Sequence, residues 1–359
     1  MKYFYSFPVV RGIQANREYY IAMVPLRMLK RLFPSDDEYI DPEYRAQRKI
    51  NTARIPEIAR YVTNNRESYV FSALAASIDG EFKFENSGIE GDIGYLHVSM
   101  DSKFLINDGQ HRKAALLEAI DEDPTLLDET ISIVFYGDQG LAKSQQMFTD
   151  LNKHAVKTSN SIAELYDSRD ELAVITRNVV SDIPFLNEYV DKERDMLGKF
   201  SSKLFTLNNF YTANKRTISR RMKDDSEQLL KEFWTCVVEN MEPWIELSSK
   251  HLTKIDLREN YIASQAVIVQ ALGRVGAYFY AQDNAELHEK INSLRNINWK
   301  RSNPVWKARV IRANGRMITS EQAILLASNV IKKALKIELT PEELKKEEEF
   351  NLLQNIQLK

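Results

Sequence analysis

One cysteine stands in the whole chain, Cys236, so no disulfide can close within it and no multi-cysteine zinc site can be built. So sparing a use of thiols points to a reducing compartment, and a cytoplasmic protein is the expectation. No stretch approaches the roughly 20 apolar residues that span a bilayer, and Met1 to Val10 carries no long apolar core or small-residue cleavage site. A soluble protein with no membrane partner is expected. There is no excess of positive charge either: 49 Lys and Arg stand against 51 Asp and Glu, for a net charge of −2. Affinity for nucleic acid must then come from locally segregated cations. Repeats and low-complexity stretches are missing. So is any Gly-x-x-x-x-Gly-Lys-Ser/Thr, which excludes a P-loop nucleotide site.

What is present is a chain of 359 residues, 43% hydrophobic, long enough for two domains. From Tyr3 to about Phe135 short β-rich runs alternate with helical ones. Tyr19 to Val24, Tyr69 to Ala75, Leu96 to Val98, Phe104 to Ile106 and Ile131 to Tyr136 read as strands; Pro25 to Leu32 and Gln47 to Val62 read as helices. The glycines between Asn86 and Gly94 read as a loop. After residue 140 the pattern turns helical, over Leu141 to Leu151, Ile162 to Val180, Asp224 to Met241, Ile262 to Ala281 and Ser320 to Leu335. A charged tail after Thr340-Pro341 reads as a solvated helix with Thr as cap and Pro in the first turn. The expected fold is therefore α/β or α+β in residues 1–160, then a mostly helical domain over 161–359, with the join somewhere between about 155 and 200.

The most informative stretch is Phe104-Leu105-Ile106-Asn107-Asp108-Gly109-Gln110-His111-Arg112, where an apolar strand stops at Asp-Gly and a helix begins at once. Free N–H groups at a helix start, beside a small Gly109 and a cationic Arg112, suit a phosphate. The alternative is an ordinary strand-to-helix turn with Asp108 as cap and with His111 and Arg112 solvated. A second polar stretch, Phe148 to Ser161, offers Lys153, Lys157 and hydroxyls to phosphates and Asp150 or Asn152 to a Mg²⁺ shell. Its alternative is a polar connecting loop capped by Asn152 and Ser159.

Asp108-Gly109-Gln110-His111-Arg112 is the signature of the DGQHR-domain proteins, and Phe148-Thr149-Asp150-Leu151-Asn152 looks like their second block. With Gln47, Arg48, Arg54, Ile58 and Tyr61, the strand Tyr69 to Leu74, and Leu165 to Asp170, the chain resembles the DndB family of DNA phosphorothioation-associated proteins along nearly its whole length. The resemblance implies a ParB/sulfiredoxin-like first domain whose Gly-x-x-Arg turn grips a nucleoside triphosphate. It implies an ATP site of Gly109, Gln110, Arg112, Asn152, Lys153 and His154, with Asp108 and Asn152 as Mg²⁺ ligands and Asp108, His111 and Arg112 as the catalytic set. The acid that usually precedes the asparagine is displaced here to Asp150. Sulfiredoxin's catalytic cysteine is replaced by Gln110, which cannot act as a thiol nucleophile. Cys236, in an apolar helical run, is expected to pack rather than react.

The resemblance further implies a DNA-binding repressor of the sulfur-modification operon, on double-stranded promoter DNA, with slow ATP hydrolysis modulating affinity. Other DNA sulfur-modification proteins are implied partners, and a homodimer would suit a palindromic operator. A ParB-like nickase using Asp108, His111 and Arg112 is the competing enzyme, and a non-catalytic scaffold is the third reading. Two acid-free runs supply candidate DNA surfaces. The first comprises Lys199, Lys203, Lys215, Arg216, Arg220, Arg221 and Lys223, interleaved with Phe200, Phe205, Phe210 and Tyr211, with Thr217 and Ser219 as further donors. The second runs from Trp299 to Arg316 and carries Lys300, Arg301, Lys307, Arg309, Arg312 and Arg316. Its indoles either stack on nucleotides or sit in the core.

Overall fold

The computed structural model describes residues 3–34, 52–88, 91–137, 159–198, 200–218 and 221–357, with side chains through 354. The chain forms two compact units, Met1–Val156 and Lys157–Lys359.

The first unit is built on a seven-stranded mixed sheet. Strands β1 (Phe4–Gln14) and β2 (Arg17–Pro25) form a hairpin turned at Ala15 and Asn16, both at positive φ. Alternation along them sends Phe7, Val9, Tyr20, Ala22 and Val24 into the core. A short helix α1 (Leu29–Leu32) and then α2 (Ile55–Asn64) follow. Next come β3 (Leu74–Asp79), β4 (Phe82–Asn86), β5 (Ile93–Ser99), β6 (Lys103–Asp108), helix α3 (Gln110–Glu122) and β7 (Thr130–Gly137). The sheet order is β4-β5-β1-β2-β7-β3-β6, antiparallel except where β3 runs parallel to β7. Helices α2 and α3 pack on each other, and Ala59, Val62, Ala115, Leu116 and Ala119 complete the core.

Strand β3 begins five residues later than its β-rich composition predicts. The peptide groups just before it are engaged elsewhere: Tyr69 N–H donates to the Asn65 carbonyl (2.8 Å) and Val70 N–H to the Tyr61 hydroxyl (3.0 Å). The carbonyls of Ser72 and Ala73 accept from a guanidinium. Strands β1 and β4, absent from the sequence expectation, lie next to β5. The expected helix over 141–151 and the start of the one over 47–62 lie outside the described residues.

The second unit is helical. Its elements are α4 (Asn160–Tyr166), α5 (Glu171–Asp182), α6 (Pro184–Tyr189), α7 (Leu207–Ile218), α8 (Ser226–Asn240), α9 (Glu242–Ser248), α10 (Lys254–Asn260), α11 (Ala266–Tyr280), α12 (Leu287–Ile291), α13 (Glu321–Ala334) and α14 (Pro341–Gln357). The helix expected over 162–180 is two. Asp167 accepts from the N–H groups of Arg169 and Asp170, and Asp170 caps α5 through Ala173 N–H, so local side-chain bonding ends one helix and starts the next. Helices α7 and α11 meet closely because Gly273 has no side chain: a Cβ there would lie 2.4 Å from the Ala213 carbonyl oxygen. A buried chain of bonds, Trp234 Nε1 to Asn214 and Asn214 to Thr176, ties α8, α7 and α5 together.

The tail helix α14 has the expected start, with Thr340 Oγ1 accepting from Glu343 N–H and Glu343 accepting in return from Thr340 N–H. It is not solvated on all sides. Glu343 and Glu347 are 3% and 5% exposed, and Phe350 is buried with Leu325 and Leu326 of α13.

Candidate functional site

In the first unit, the register of β3 on β6 jumps from Ala76 opposite Ile106 to Ala75 opposite Asp108, a bulge at Asn107. Asn107 itself is buried and donates to the Ser77 hydroxyl at 2.6 Å. The bulge carries Asp108 to the strand end, and Gly109 turns the chain into α3 at φ +97°. A Cβ at Gly109 would lie 2.4 Å from Leu74 Cδ2, a side-chain end that must shift, and the positive φ itself demands glycine.

Arg112 then folds back over this turn. Its Nη2 donates to Asp108 Oδ2 at 2.5 Å, and its Nη1 meets the Ser72 carbonyl (2.6 Å), the Ser72 hydroxyl (2.5 Å) and the Ala73 carbonyl (2.8 Å). The two charges neutralise each other and fasten α3 to the segment before β3. The expected roles of Arg112 as phosphate clamp and Asp108 as metal ligand therefore meet side chains already engaged with each other. Asp108 is not the cap either, for the cap position is held by Gly109. What the turn does offer an anion is the start of a 13-residue helix whose cap residue, Gly109, has no side chain, and the side-chain amide of Gln110, whose Nε2 is buried with no hydrogen-bond partner among the described residues. His111 is partly exposed. Asn152, Lys153 and His154 lie outside the described residues, and among the described residues no group of His, Cys, Asp and Glu is arranged to hold a metal ion.

In the second unit, the two basic runs are sorted by their partners. Arg216 reaches Glu321 with both Nη atoms (2.8 and 2.6 Å) and Gln270 with one of them (3.0 Å). Lys223 pairs with Asp283 at 2.5 Å, and the hydrogen bond to that carboxylate holds its pKa above the ordinary lysine value. Phe205 and Phe210 are wholly buried and so cannot stack on bases, whereas Phe200 is exposed. Lys215 and Arg221 face solvent; Lys199, Ser219 and Arg220 lie outside the described residues.

The run from Trp299 to Arg316 has no helix or strand longer than a turn, yet it is firmly held. Trp299 and Trp306 are buried and stacked on each other, with ring centroids 5.7 Å apart. Their Nε1 atoms donate to the Leu294 and Asn298 carbonyls. The indoles thus belong to the core. Arg309 is also internal, 9% exposed, and its guanidinium is paired with both carboxylate oxygens of Glu347. Single bridges join Lys300 to Tyr261 and Ile311 to both Lys307 and Met317. From this frame Lys300, Lys307, Arg312 and Arg316 project into solvent and Arg301 is half-covered. Among the described residues none of these five pairs with a carboxylate.

Lys300, Arg301, Lys307 and Arg312 line one cleft of about 990 Å³, together with Asp256, Glu259, Asn260, Tyr261 and Ser302. Sequence reasoning missed Tyr261, and it missed Ser72 in the first unit. Each reaches its site through a residue 39 or more positions away along the chain, Tyr261 through Lys300 and Ser72 through Arg112, and no local pattern encodes such a pairing.

Cys236 is 3% exposed, and burial, with the charges of Glu239 and Glu232, pushes its thiol up to about 11, the state of a packing residue.

Compared with known families, the chain matches DndB, described as DNA-sulfur modification-associated, over residues 7–338. The chain belongs to the DndB family. DndB membership gives it a role in DNA sulfur modification. Both the pentad and the cationic run lie inside the span matched to DndB, while α14, whose Glu347 neutralises Arg309, begins beyond it. No curated protein and no solved structure matches the chain. Among the described residues no helix is long and apolar enough to cross a membrane.

Proposed function

We propose that this DndB-family chain is a DNA-binding repressor of the operon for DNA phosphorothioate modification, and that ATP bound at the start of α3, slowly hydrolysed, modulates its affinity for promoter DNA. The observation that carries the reading is the set of cations on the Trp299–Arg316 run, held on a rigid frame with no carboxylate partner among the described residues. Arg216 and Lys223 elsewhere in the same unit, and Arg309 within the run, are each paired with a carboxylate. A protein with a net charge of −2 that leaves five cations unpaired on one segment has a surface suited to a phosphate backbone. Lys215 and Arg221 extend the candidate contacts.

The ATP reading is supported by the start of α3, capped by a glycine with no side chain, and by Gln110 Nε2, buried with no partner among the described residues; these would hold phosphate oxygens, with Gly109 allowing close approach. Arg112 and Asp108 have a positioning role here: they set the turn that aims those N–H groups. Mg²⁺ would enter with the nucleotide and take Asn152 as the protein ligand. ATP can shift DNA affinity only if it binds the free and DNA-bound forms unequally, and the coupling is then reciprocal. A homodimer and contacts with other sulfur-modification proteins complete the proposal.

The test is a titration of promoter duplex with and without ATP across a range of salt concentrations. Tight binding with a steep salt dependence, changed in midpoint by ATP, is the expected result. Affinity equal to that for unrelated duplex, with no effect of ATP, would overturn it.

A further inference from the structure

The cleft beside the cationic run has an interior as well as a rim, and the interior is built for something smaller than a duplex. At about 990 Å³ it lies at the upper end of small-molecule pockets. A space of that volume is about 10 to 12 Å across, and a duplex, whose major groove alone is about 12 Å wide, can touch the rim but not enter.

The lining states the ligand's charge. Four cations, Lys300, Arg301, Lys307 and Arg312, face two carboxylates, Asp256 and Glu259, which leaves an excess of two positive charges. Asp256 is already engaged by the Thr253 hydroxyl at 2.6 Å. An internucleotide phosphodiester carries one negative charge, whereas a terminal phosphomonoester carries nearly two at neutral pH. Arg301 adds a second, independent sign. Its Nε is buried with no hydrogen-bond partner among the described residues, and the same residue lines a smaller adjoining pocket of about 320 Å³ with Ile255, Arg258 and Glu259. An orphaned guanidinium N–H inside a protein is costly unless a ligand completes it. The rest of the wall supplies a Tyr261 ring, the apolar Leu252 and Ile311, and amide and hydroxyl groups from Asn260 and Ser302, a surface suited to a flat heterocycle and its sugar. The frame is fixed in advance. Ala308, on the cleft wall, is held at φ +58° by its N–H bond to the Ile311 carbonyl, and Arg312 and Arg316 close a tight turn through Gly315.

We propose that this cleft binds a single nucleotide through a terminal phosphomonoester, either a free nucleoside monophosphate or the 5′-phosphorylated end of a DNA strand. It is a site separate from the ATP site at α3 and does not depend on it. It shares only the rim lysines and arginines with the proposed duplex contact.

The experiment uses the full chain and calorimetric titration with adenosine 5′-monophosphate, adenosine, and a single-stranded octamer with or without a 5′-phosphate; promoter duplex binding is measured in parallel. The expected result is that the phosphorylated member of at least one pair binds about tenfold or more tightly than its unphosphorylated counterpart, the scale of a charge-assisted contact. Preference for the monophosphate identifies a free nucleotide, and preference for the phosphorylated octamer identifies a strand end. Arg301→Gln should remove this preference and Arg301→Lys should restore part of it. The proposal is overturned if phosphate makes no difference in either pair, or if the preference survives Arg301→Gln and disappears in Gln110→Ala, which would assign it to α3. Loss of duplex binding alone would count against the repressor reading and leave this one standing.

Discussion

Arg112 bonds to Asp108 one helical turn before it, at 2.5 Å, so the only two formally charged residues of the Asp-Gly-Gln-His-Arg signature neutralise each other. Through the same guanidinium the helix start is fastened to Ser72 and Ala73, about 40 residues earlier. A motif that reads as an anion clamp is in this chain first a mechanical joint. The groups proposed to hold ATP are those the joint orients: the start of α3 and Gln110.

Arg112→Ala should therefore destabilise the first unit as well as weaken ATP binding. It leaves two carbonyls and a partly buried carboxylate without their donor, a loss of about 1.5–3 kcal/mol for a bond to a charged group. Arg112→Lys should recover little, since one ammonium cannot reproduce the planar fork. Gln110→Ala should weaken ATP binding with little change in stability. Urea unfolding set beside ATP titration separates the two; an Arg112→Ala protein of unaltered stability would contradict the joint.

Gly109→Ala places a methyl group 2.4 Å from Leu74 Cδ2 at a φ of +97°. A destabilisation of about 1–3 kcal/mol is expected from backbone strain, with the overlap adding to it. Thermal unfolding checks this, and a melting temperature equal to that of the unaltered chain would refute the turn geometry.

Glu347 and Glu343 make the tail helix acid-sensitive. Burial raises both carboxyls, but bonds from Arg309 and Asn329 to Glu347, and from Lys332 and Thr340 to Glu343, outweigh it and hold both below the ordinary glutamate value. A carboxyl whose folded pKa is depressed contributes stability above its unfolded pKa, near 4.5, and loses that contribution as pH falls through the folded value. Acid unfolding should begin with α14. Glu347→Gln strands the buried Arg309 and should cost about 3–5 kcal/mol at neutral pH, the cost of breaking a buried pair by removing one partner. Unfolding followed against pH tests both statements.

Glu164 behaves in the opposite sense. Burial, then the charges of Asp195 and Asp170, push its carboxyl up to about 8. Between about 4.5 and 8 the folded chain holds a proton that the unfolded chain releases, so stability falls as pH rises through that window. Glu164→Gln should raise the melting temperature at pH 8 and make no difference at pH 4.5. An equal effect at both would exclude the shift.

For DNA, alanine at Lys300, Lys307, Arg312 or Arg316 should each weaken promoter binding. Each should also lower the slope of log affinity against log salt by about 1, the change expected when one phosphate is no longer neutralised. Arg216→Ala should leave that slope unchanged, because its charge is already balanced by Glu321. Replacing Arg221 tests the first basic run in the same assay.

The division into a mixed sheet followed by helices was legible because alternation and helical spacing are local properties of the chain. Val98, Ile106 and Ile133 declare their strands, and Thr340-Pro341 declares the start of α14. The pentad was legible as a strand-to-helix turn for the same reason: Gly109 is the residue that a positive φ demands. The partners of the charges were not. Whether an arginine meets solvent or a glutamate depends on residues 38 positions away, as with Arg309 and Glu347, or 105 away, as with Arg216 and Glu321. Within one acid-free run, Arg309 is sealed inside while Arg312, three residues on, is exposed. Local composition records which charges a segment carries. Only packing, which brings distant carboxylates to some of them and not to others, leaves a particular few available for phosphate.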